Sequence, residues 1–199
     1  MKQTVSPSFI QKAKHIKVLL TDVDGVMTDG TLSFFTDSQG HTHEIKNFES
    51  LDGMGLMYLA ACGIKTGIIS RGTSPTLEYW AKILGMDFLF YNTSVKAHAL
   101  DYLQQHHGIR AEETAFIGDD LIDLGVLDRV GLPLAVANSV AEIRALAAYT
   151  SPRCGGHAAV RDIAEQILKA RGEWERIVTQ NRQGTFRPPQ HALCVVKGL

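Results

Sequence analysis

The sequence contains the stretch Val18-Leu19-Leu20-Thr21-Asp22-Val23-Asp24-Gly25-Val26. It begins as an apolar run of the kind that forms a buried strand, but two carboxylates, Asp22 and Asp24, stand at its end. Alternate residues of an extended strand point to the same face, so both carboxylates can address one group. Gly25 then allows the backbone to turn sharply away. The stretch therefore predicts a buried strand that delivers two acids to one site.

The composition is that of a globular domain. The chain has 199 residues, of which 45% are hydrophobic and 21% are charged, enough for one domain with a sizeable core. The net charge of −1 gives no general attraction to nucleic acid or to anionic lipid, so we expect neither as a partner. No apolar run is long enough to span a membrane, and MKQTVSPSFIQKAKHIK lacks the apolar block of a secretory signal. We therefore expect a cytoplasmic protein.

Short apolar runs alternate with segments of helical periodicity. The predicted strands are IKVLLTDV, KTGIIS, DFLFYN, TAFIGD and LPLAVAN. The segments between the later strands, and AAVRDIAEQILKARGEW near the end, have the periodicity of amphipathic helices. This alternation predicts an α/β fold with a doubly wound, Rossmann-like parallel sheet and helices on both of its faces.

One segment interrupts the alternation. TLSFFTDSQGHTHEIKNF has alternating residues around a turn and predicts a β-hairpin over about residues 31–48, inserted between the first strand and the first helix. The chain between Arg71 and Lys96 has room for only one strand and one helix, so we expect no separate cap domain. We predict a single domain over residues 1–175 and a polar C-terminal tail over residues 176–199.

Polar residues follow four of the predicted strands, at the sheet edge where ligands bind in such folds. They are Asp22 and Asp24 after the first strand, Ser70 and Arg71 after the second, Lys96 after the third, and Asp119, Asp120 and Asp123 after the fourth. Clustered carboxylates repel one another unless a cation neutralises them, and a small set of oxygen ligands completed by water suits Mg²⁺. A Mg²⁺ ion beside a lysine and a serine is a site for a phosphoryl group.

An aspartate can transfer that group through an aspartyl-phosphate intermediate. It needs no activating base, because a free pKa of about 3.9 leaves it ionised at neutral pH. The leaving oxygen needs a proton, and a second carboxylic acid can give it and later take one from the attacking water. We therefore expect Asp22 to attack phosphorus and Asp24 to handle protons.

Taken in order, these motifs resemble those of the haloacid dehalogenase superfamily of phosphatases. The matching residues are Asp22-Val23-Asp24-Gly25, Ser70, Lys96, and Gly118-Asp119-Asp120 with Asp123. The resemblance implies Asp22 as nucleophile and Asp24 as acid/base, with Ser70 and Lys96 as ligands of the phosphoryl group. The implied Mg²⁺ ligands are the Asp22 carboxylate, the Asp24 main-chain carbonyl and Asp119, with Asp120 and Asp123 in support.

A narrower resemblance is to the capless branch typified by 3-deoxy-D-manno-octulosonate 8-phosphate phosphatase. It rests on DVDGVMTDG, the hairpin, LDGMGL, GDDLIDL and CGGHAAVRD. It implies a sugar phosphate substrate, a role in lipopolysaccharide biosynthesis, and a homotetramer assembled by the hairpins, in which a neighbour's C-terminal segment helps to close the site. The implied substrate contacts are Asp24, Asp52, Gly53, Arg71, Lys96 and His157.

The chain departs from that branch where cationic side chains meet the acidic sugar. The family pattern Asn-Val-Arg-Asp-Gly is here Glu49-Ser50-Leu51-Asp52-Gly53, and Met57 stands where an arginine is frequent. The second motif is Ser70-Arg71-Gly72, with its last two residues exchanged, and a late Gly-Gly-Arg-Gly is Gly155-Gly156-His157-Ala158. Two substrates therefore stay open: the eight-carbon sugar acid phosphate, with Arg71 and His157 replacing the lost cations, or another keto-acid sugar phosphate of the nonulosonate 9-phosphate type.

Two other classes of protein share part of this pattern. Receiver domains phosphorylate an aspartate at a similar sheet edge, but they lack an acid two residues beyond the acceptor, so Asp24 favours turnover over signalling. A non-catalytic oligomerisation module would be expected to have lost a motif acid, and all of them are present. A P-loop kinase is excluded because the GxxxxGK[ST] pattern does not occur.

Overall fold

The computed structural model describes residues 5–188 and 191–199. The described strands are β1 (Val18–Thr21), β2 (Ser33–Thr36), β3 (Thr42–Ile45), β4 (Lys65–Ile69), β5 (Phe88–Tyr91), β6 (Thr114–Gly118), β7 (Leu132–Ala135), β8 (Tyr149–Thr150) and β9 (Cys194–Lys197). The described α-helices are α1 (Pro7–His15), α2 (Ser50–Ala61), α3 (Pro75–Ile83), α4 (His98–His107), α5 (Leu124–Leu127), α6 (Ala141–Leu146), α7 (Ala159–Ala170) and α8 (Trp174–Arg182). Short 3₁₀ helices lie at Ala111–Glu113 and Leu121–Asp123.

A parallel sheet of seven strands forms the centre of the fold, in the order β8-β7-β6-β1-β4-β5-β9. Strand β1 lies in the middle and pairs with both β4 and β6, so that Leu20 is opposite Gly67 on one side and Phe116 on the other. Since every pairing in this sheet is parallel, the carboxyl ends of β1, β4, β5 and β6 meet at one edge. The predicted Rossmann-like sheet is confirmed.

Two hydrophobic clusters cover the two faces of the sheet. Leu19 packs in the cluster that contains Leu56 of α2 and Ile163 of α7. Leu20, which points to the opposite face, packs in the cluster that contains Leu100 of α4 and Ile143 of α6. Burial on both faces explains why the central strands are continuous apolar runs. The predicted helices on both faces are therefore confirmed.

The hairpin forms a small antiparallel sheet of its own, made of β2 and β3. It lies between β1 and α2 in the chain, as predicted, and within the described ranges no separate cap domain is present. Phe34 and Phe35 remain 60% and 51% exposed on its surface. The hairpin therefore presents apolar side chains that its own domain does not cover.

The C-terminal segment differs from the expected polar tail over residues 176–199. Helix α7 ends before Gly172, and α8 continues the fold through the predicted tail boundary. Strand β9 then pairs in parallel with β5, with Val195 opposite Leu89. Phe186 and Leu193 pack against the core cluster that contains Leu56. The segment docks because it carries apolar residues that complete a sheet edge, while Pro189 and Gln190 lie outside the described residues.

Helix α1 is an element that the sequence did not predict. The Ser6 hydroxyl caps it by accepting a hydrogen bond from Phe9 N at 3.1 Å, and its own residues Phe9 and Ala13 are fully buried. The chain thus begins its described part with a helix that packs on the same cluster as α7. In the described part of the chain, no helix combines the length and apolar character needed to cross a bilayer.

Candidate active site

One pocket of about 280 Å³ lies at the carboxyl ends of the central strands. It is lined by Asp22, Asp24, Ser70, Arg71, Gly72, Lys96, Asp119, Asp120, Ile122, Asn138 and Val140. The structure therefore brings together residues from four separate strand ends that the sequence placed at one edge. Their catalytic and binding roles remain predictions.

Lys96 forms ion pairs with two carboxylates of the site. Its side chain is 2% exposed, and its Nζ lies 2.7 Å from Asp22 Oδ1 and 2.7 Å from Asp123 Oδ1. Burial acts to lower the pKa of Lys96, but the Asp22 and Asp123 carboxylates outweigh it and raise that pKa. Lys96 is therefore a protonated ammonium that fixes the Asp22 carboxylate and can face a phosphoryl oxygen beside it.

Asp123 supports the site from beneath. It is fully buried, and while its Oδ1 accepts from Lys96, its Oδ2 accepts a hydrogen bond from Asp119 N at 3.0 Å. Both of its oxygens are thus used to hold Lys96 and the backbone that carries Asp119. Asp120 is exposed and its carboxylate accepts from Leu121 N at 2.8 Å, which caps the following 3₁₀ helix.

Three carboxylates in this region carry more negative charge than Lys96 balances. Oxygens of Asp22, Asp119 and Asp123 lie within 4.8 Å of one another. Burial raises the pKa of Asp22 to about 6, despite the opposing effect of Lys96. Burial, followed by the charges of Asp22 and Asp123, raises the pKa of Asp119 to about 7. Ionised together, these groups need a further cation.

The surroundings of Asp119 fit a divalent cation. Among the described residues, its buried Oδ1 has no hydrogen-bond partner. Gly25 adopts a φ of +92°, and a Cβ at this position would overlap Asp119 Oδ2, so only glycine leaves the space beside that carboxylate. An all-oxygen donor set of this kind suits a hard ion such as Mg²⁺. Asp22 and Asp119 are the carboxylates with free capacity to hold it.

Ser70 and Arg71 line the pocket from the end of β4. Ser70 is 3% exposed, and its Oγ accepts a hydrogen bond from Gly72 N at 3.2 Å. That bond orients the hydroxyl and leaves its proton available for a ligand oxygen. Arg71 is exposed at the same pocket, so its guanidinium lies where the part of a ligand beyond its phosphoryl group would be.

Asn138 is a site residue that the sequence reasoning missed. Its Nδ2 donates to Gly25 O at 2.8 Å, and its Oδ1 accepts from Gly155 N at 2.7 Å. It thereby ties the loop after β1 to the late glycine loop, where a Cβ at Gly155 would overlap the Gly25 carbonyl. Its position at the end of LPLAVAN, on the same sheet edge as the motif acids, was the available signal.

Three predicted substrate contacts do not line this pocket. Asp52 is 1% exposed and its Oδ1 accepts from Arg161 N at 2.7 Å, which caps the start of α7. Gly53 is buried, and a Cβ there would lie 2.9 Å from Leu84 Cδ2. In this structure both residues pack against neighbouring helices, because α2 turns this face towards α3 and α7, and their substrate contacts stay predictions. His157 is exposed, and its Nδ1 lies 2.9 Å from Gly155 O.

Lys46 is a second residue that the sequence reasoning missed. It follows β3 of the hairpin, and its Nζ lies 2.6 Å from Asp24 Oδ1 and 3.0 Å from Glu44 Oε1. The Lys46 side chain is only 6% exposed, whereas Asp24 is 45% exposed. The hairpin therefore contacts the site of its own chain, a contact that local sequence does not reveal.

Comparison with known proteins places the chain in a family. The model of the haloacid dehalogenase-like hydrolases matches residues 85–155. The chain is 35% identical over 163 residues to the 3-deoxy-D-manno-octulosonate 8-phosphate phosphatase of Haemophilus influenzae, and the match covers 82% of this chain and 88% of that relative.

Solved structures give the same relation. The chain resembles the 3-deoxy-D-manno-octulosonate 8-phosphate phosphatase of Moraxella catarrhalis, crystallised with magnesium ion, phosphate ion and a KDO molecule. The TM-score is 0.81 and the identity is 36%, with 87% of this chain and 97% of that chain covered. The corresponding phosphatase of Yersinia pestis gives a TM-score of 0.80 at 37% identity, with 86% and 90% covered. Relatives this similar over most of both chains show that the protein belongs to the haloacid dehalogenase-like hydrolases, in the family of the 3-deoxy-D-manno-octulosonate 8-phosphate phosphatases.

Proposed function

We propose that this protein is a Mg²⁺-dependent phosphatase that hydrolyses 3-deoxy-D-manno-octulosonate 8-phosphate through an aspartyl-phosphate on Asp22. The members of its family are phosphoric monoester hydrolases. The observation that carries the proposal is the contact of Lys96 Nζ with Asp22 Oδ1 at 2.7 Å, in a pocket that also contains Asp24, Ser70 and Asp119. This arrangement presents a fixed carboxylate, an ammonium and a second acid to one phosphoryl group.

The reaction has two steps. In the first, an Asp22 oxygen forms a bond to phosphorus while the bond from phosphorus to the sugar oxygen breaks, and that oxygen takes the electron pair and a proton from Asp24. In the second, water attacks phosphorus and gives a proton to Asp24, while the bond from Asp22 to phosphorus breaks. Inorganic phosphate leaves, and both carboxyl groups return to their starting states.

The remaining polar groups bind and orient the phosphoryl group. Lys96 and the Ser70 hydroxyl donate to its oxygens, and Asp123 keeps Lys96 in place. Asp22, Asp119 and the Asp24 main-chain carbonyl would hold Mg²⁺, which when bound neutralises charge on the phosphoryl oxygens. Phosphoryl transfer depends mainly on positioning and on charge neutralisation, and buried carboxylates held by ion pairs and hydrogen bonds meet both needs.

The substrate is proposed from the relatives, since the pocket itself departs from their pattern. Leu51, Met57 and His157 stand where the family pattern has arginines, and the exchange of Arg71 and Gly72 moves a further one by one position. Arg71 lines the pocket and supplies one cation in their place. These departures favour a second candidate, a keto-acid sugar phosphate of the nonulosonate 9-phosphate type, which differs in the length of the sugar and not in the chemistry at phosphorus.

We further propose a cytoplasmic homo-oligomer, a tetramer as in the family, whose product serves lipopolysaccharide biosynthesis. Support for oligomerisation comes from the hairpin, which exposes apolar side chains on both of its faces. Those above two-fifths exposure are Leu32, Phe34, Phe35 and Ile45. Several exposed apolar side chains on so small an element are typical of a part of the molecule that another subunit covers.

The test is phosphate release with Mg²⁺ across a panel of sugar phosphates that includes both candidate substrates. Asp22→Asn is the matched control, because it keeps the shape of the site and removes the nucleophile. We expect preferential turnover of the eight-carbon substrate and none in the control. Preference for the nine-carbon substrate would keep the mechanism and replace the substrate. A stable phosphoprotein without turnover would support the receiver alternative instead.

A further inference from the structure

We propose that Lys46 is a positioning residue, which holds Asp24 in the orientation from which it protonates the leaving oxygen. The proposal rests on the proposed phosphatase function and deepens it, because it makes the hairpin part of the catalytic arrangement of its own chain. Lys46 does not itself line the pocket, whereas Asp24 does. Its influence on the reaction is therefore exerted through Asp24.

The Lys46 ammonium is held in place by residues of the hairpin. Lys46 Nζ lies 2.6 Å from Asp24 Oδ1, and Glu44 Oε1 holds the same ammonium from the other side at 3.0 Å. The 6% exposure of Lys46 shows that its aliphatic stem is packed, so its ammonium is not a freely moving surface charge. Glu44 and Lys46 are two apart at the end of β3, which places both on the same face of the hairpin.

Asp24 depends on this contact more than the other pocket acids depend on theirs. Its side chain is 45% exposed, whereas Asp22 is 8% exposed and is also held by Lys96. The hydrogen bond from Lys46 to Asp24 Oδ1 is the contact that fixes the rotation of this carboxyl. With Oδ1 held by Lys46, Oδ2 is the oxygen available to the leaving group.

The proposal makes a distinction between leaving groups. When Asp22 attacks and the bond from phosphorus to the sugar oxygen breaks, an alkoxide is a poor leaving group and needs the proton from Asp24. A nitrophenolate leaves with its electron pair and needs no proton. A loss of Asp24 positioning should therefore slow alkyl phosphates far more than aryl phosphates in the first step, which kcat/KM reports.

The experiment compares wild type, Lys46→Met and Lys46→Arg, all with Mg²⁺, on three substrates. These are the eight-carbon sugar acid phosphate, ribose 5-phosphate as an alkyl phosphate without a carboxylate, and p-nitrophenyl phosphate. We expect Lys46→Met to lose about 10- to 100-fold in kcat/KM on both alkyl phosphates, as part of the effect of positioned proton transfer. It should lose less than about threefold on the aryl phosphate, and Lys46→Arg should recover most of the loss.

Two further variants separate positioning from general damage. Lys82→Met removes a similarly close ion pair, 2.7 Å from Glu78 on the solvent-facing side of α3, and should leave turnover of all three substrates unchanged. Glu44→Gln loosens Lys46 without removing it and should give a smaller loss with the same preference for alkyl substrates. It also keeps the test available if Lys46→Met does not fold, which thermal unfolding will show.

Other outcomes overturn the proposal. An equal loss on alkyl and aryl substrates would make Lys46 a structural residue only. A loss confined to the sugar acid phosphate would make Lys46 a contact for the substrate carboxylate. If wild type hydrolyses the aryl phosphate but no alkyl phosphate, the proposed function fails and this proposal fails with it. If wild type hydrolyses alkyl phosphates and Lys46→Met equals it, the function stands and the role of Lys46 does not.

Discussion

Without divalent cations, the stability of this protein should fall as the pH rises from about 4 to about 7. The reason is the carboxylate cluster, where burial raises the pKa of Asp22 to about 6 and that of Asp119 to about 7. A carboxyl group whose pKa is raised by folding binds its proton more tightly in the folded state than in the unfolded state. Its contribution is fully present below the ordinary value of 3.8 and is lost as the pH passes the folded value.

The size of the effect follows from Asp22. A pKa moved from 3.8 to about 6, at about 1.36 kcal/mol for each pH unit, costs the ionised folded state about 3 kcal/mol. Asp119 adds less than its own pKa implies, because solvent reaches part of its carboxylate and screens it. For a chain of this length, 3 kcal/mol corresponds to a decrease in Tm of about 6–12 °C.

The assay is thermal unfolding by circular dichroism in a chelating buffer, from about pH 4 to about pH 8, which spans the whole interval between the unfolded and folded pKa values. Asp22→Asn should remove most of the decrease in Tm. Asp120→Asn should leave most of it in place, because Asp120 is exposed and its charge is the smallest of the causes given for the raised pKa of Asp119. Added Mg²⁺ should stabilise wild type more at the higher pH, because it binds the ionised carboxylates. A Tm that stays constant over this range without metal, or that falls equally in Asp22→Asn, would refute the reasoning.

Three further predictions follow from single contacts. Gly25→Ala puts a Cβ against Asp119 Oδ2, so kcat at fixed Mg²⁺ should fall about 100-fold; unchanged activity would contradict the account of the cation site. Asp52→Ala removes the cap on α7 and should lower the urea-derived free energy of unfolding by about 1 kcal/mol with KM unchanged, whereas a raised KM would restore the predicted substrate contact. Deletion of residues 191–199 uncovers the edge of β5 and should lower the same free energy by about 2–4 kcal/mol, a loss that an unstructured tail would not cause.

The sequence predicted the central architecture because its signals are local. The strands buried on both faces are continuous apolar runs, and the polar residues after them must meet at one edge once the strands are parallel. This is why Asp22, Ser70, Lys96 and Asp119 were placed together correctly without any structure.

The features that the sequence missed depend on contacts between distant segments. Asp52 caps a helix whose first turn lies 109 residues further along the chain. From the sequence alone, an aspartate at the start of α2 is expected to cap α2 itself. Lys46 reaches Asp24 only because of how the hairpin folds back, and the alternation within the hairpin does not determine that direction. Strand β9 pairs with β5 across most of the second half of the chain, and four residues within a polar segment do not by themselves predict that pairing.

The central claim is that the phosphoryl group is transferred to Asp22, and its most direct test is a rapid-quench measurement. Asp24→Asn is mixed with p-nitrophenyl phosphate and Mg²⁺, quenched in acid, and analysed by peptide mass spectrometry. The account predicts one phosphoryl group on the peptide that contains Asp22, since the first step needs no proton for this leaving group and the second lacks its base. Release of nitrophenol without any phosphorylated peptide would contradict it, because water would then attack the substrate directly.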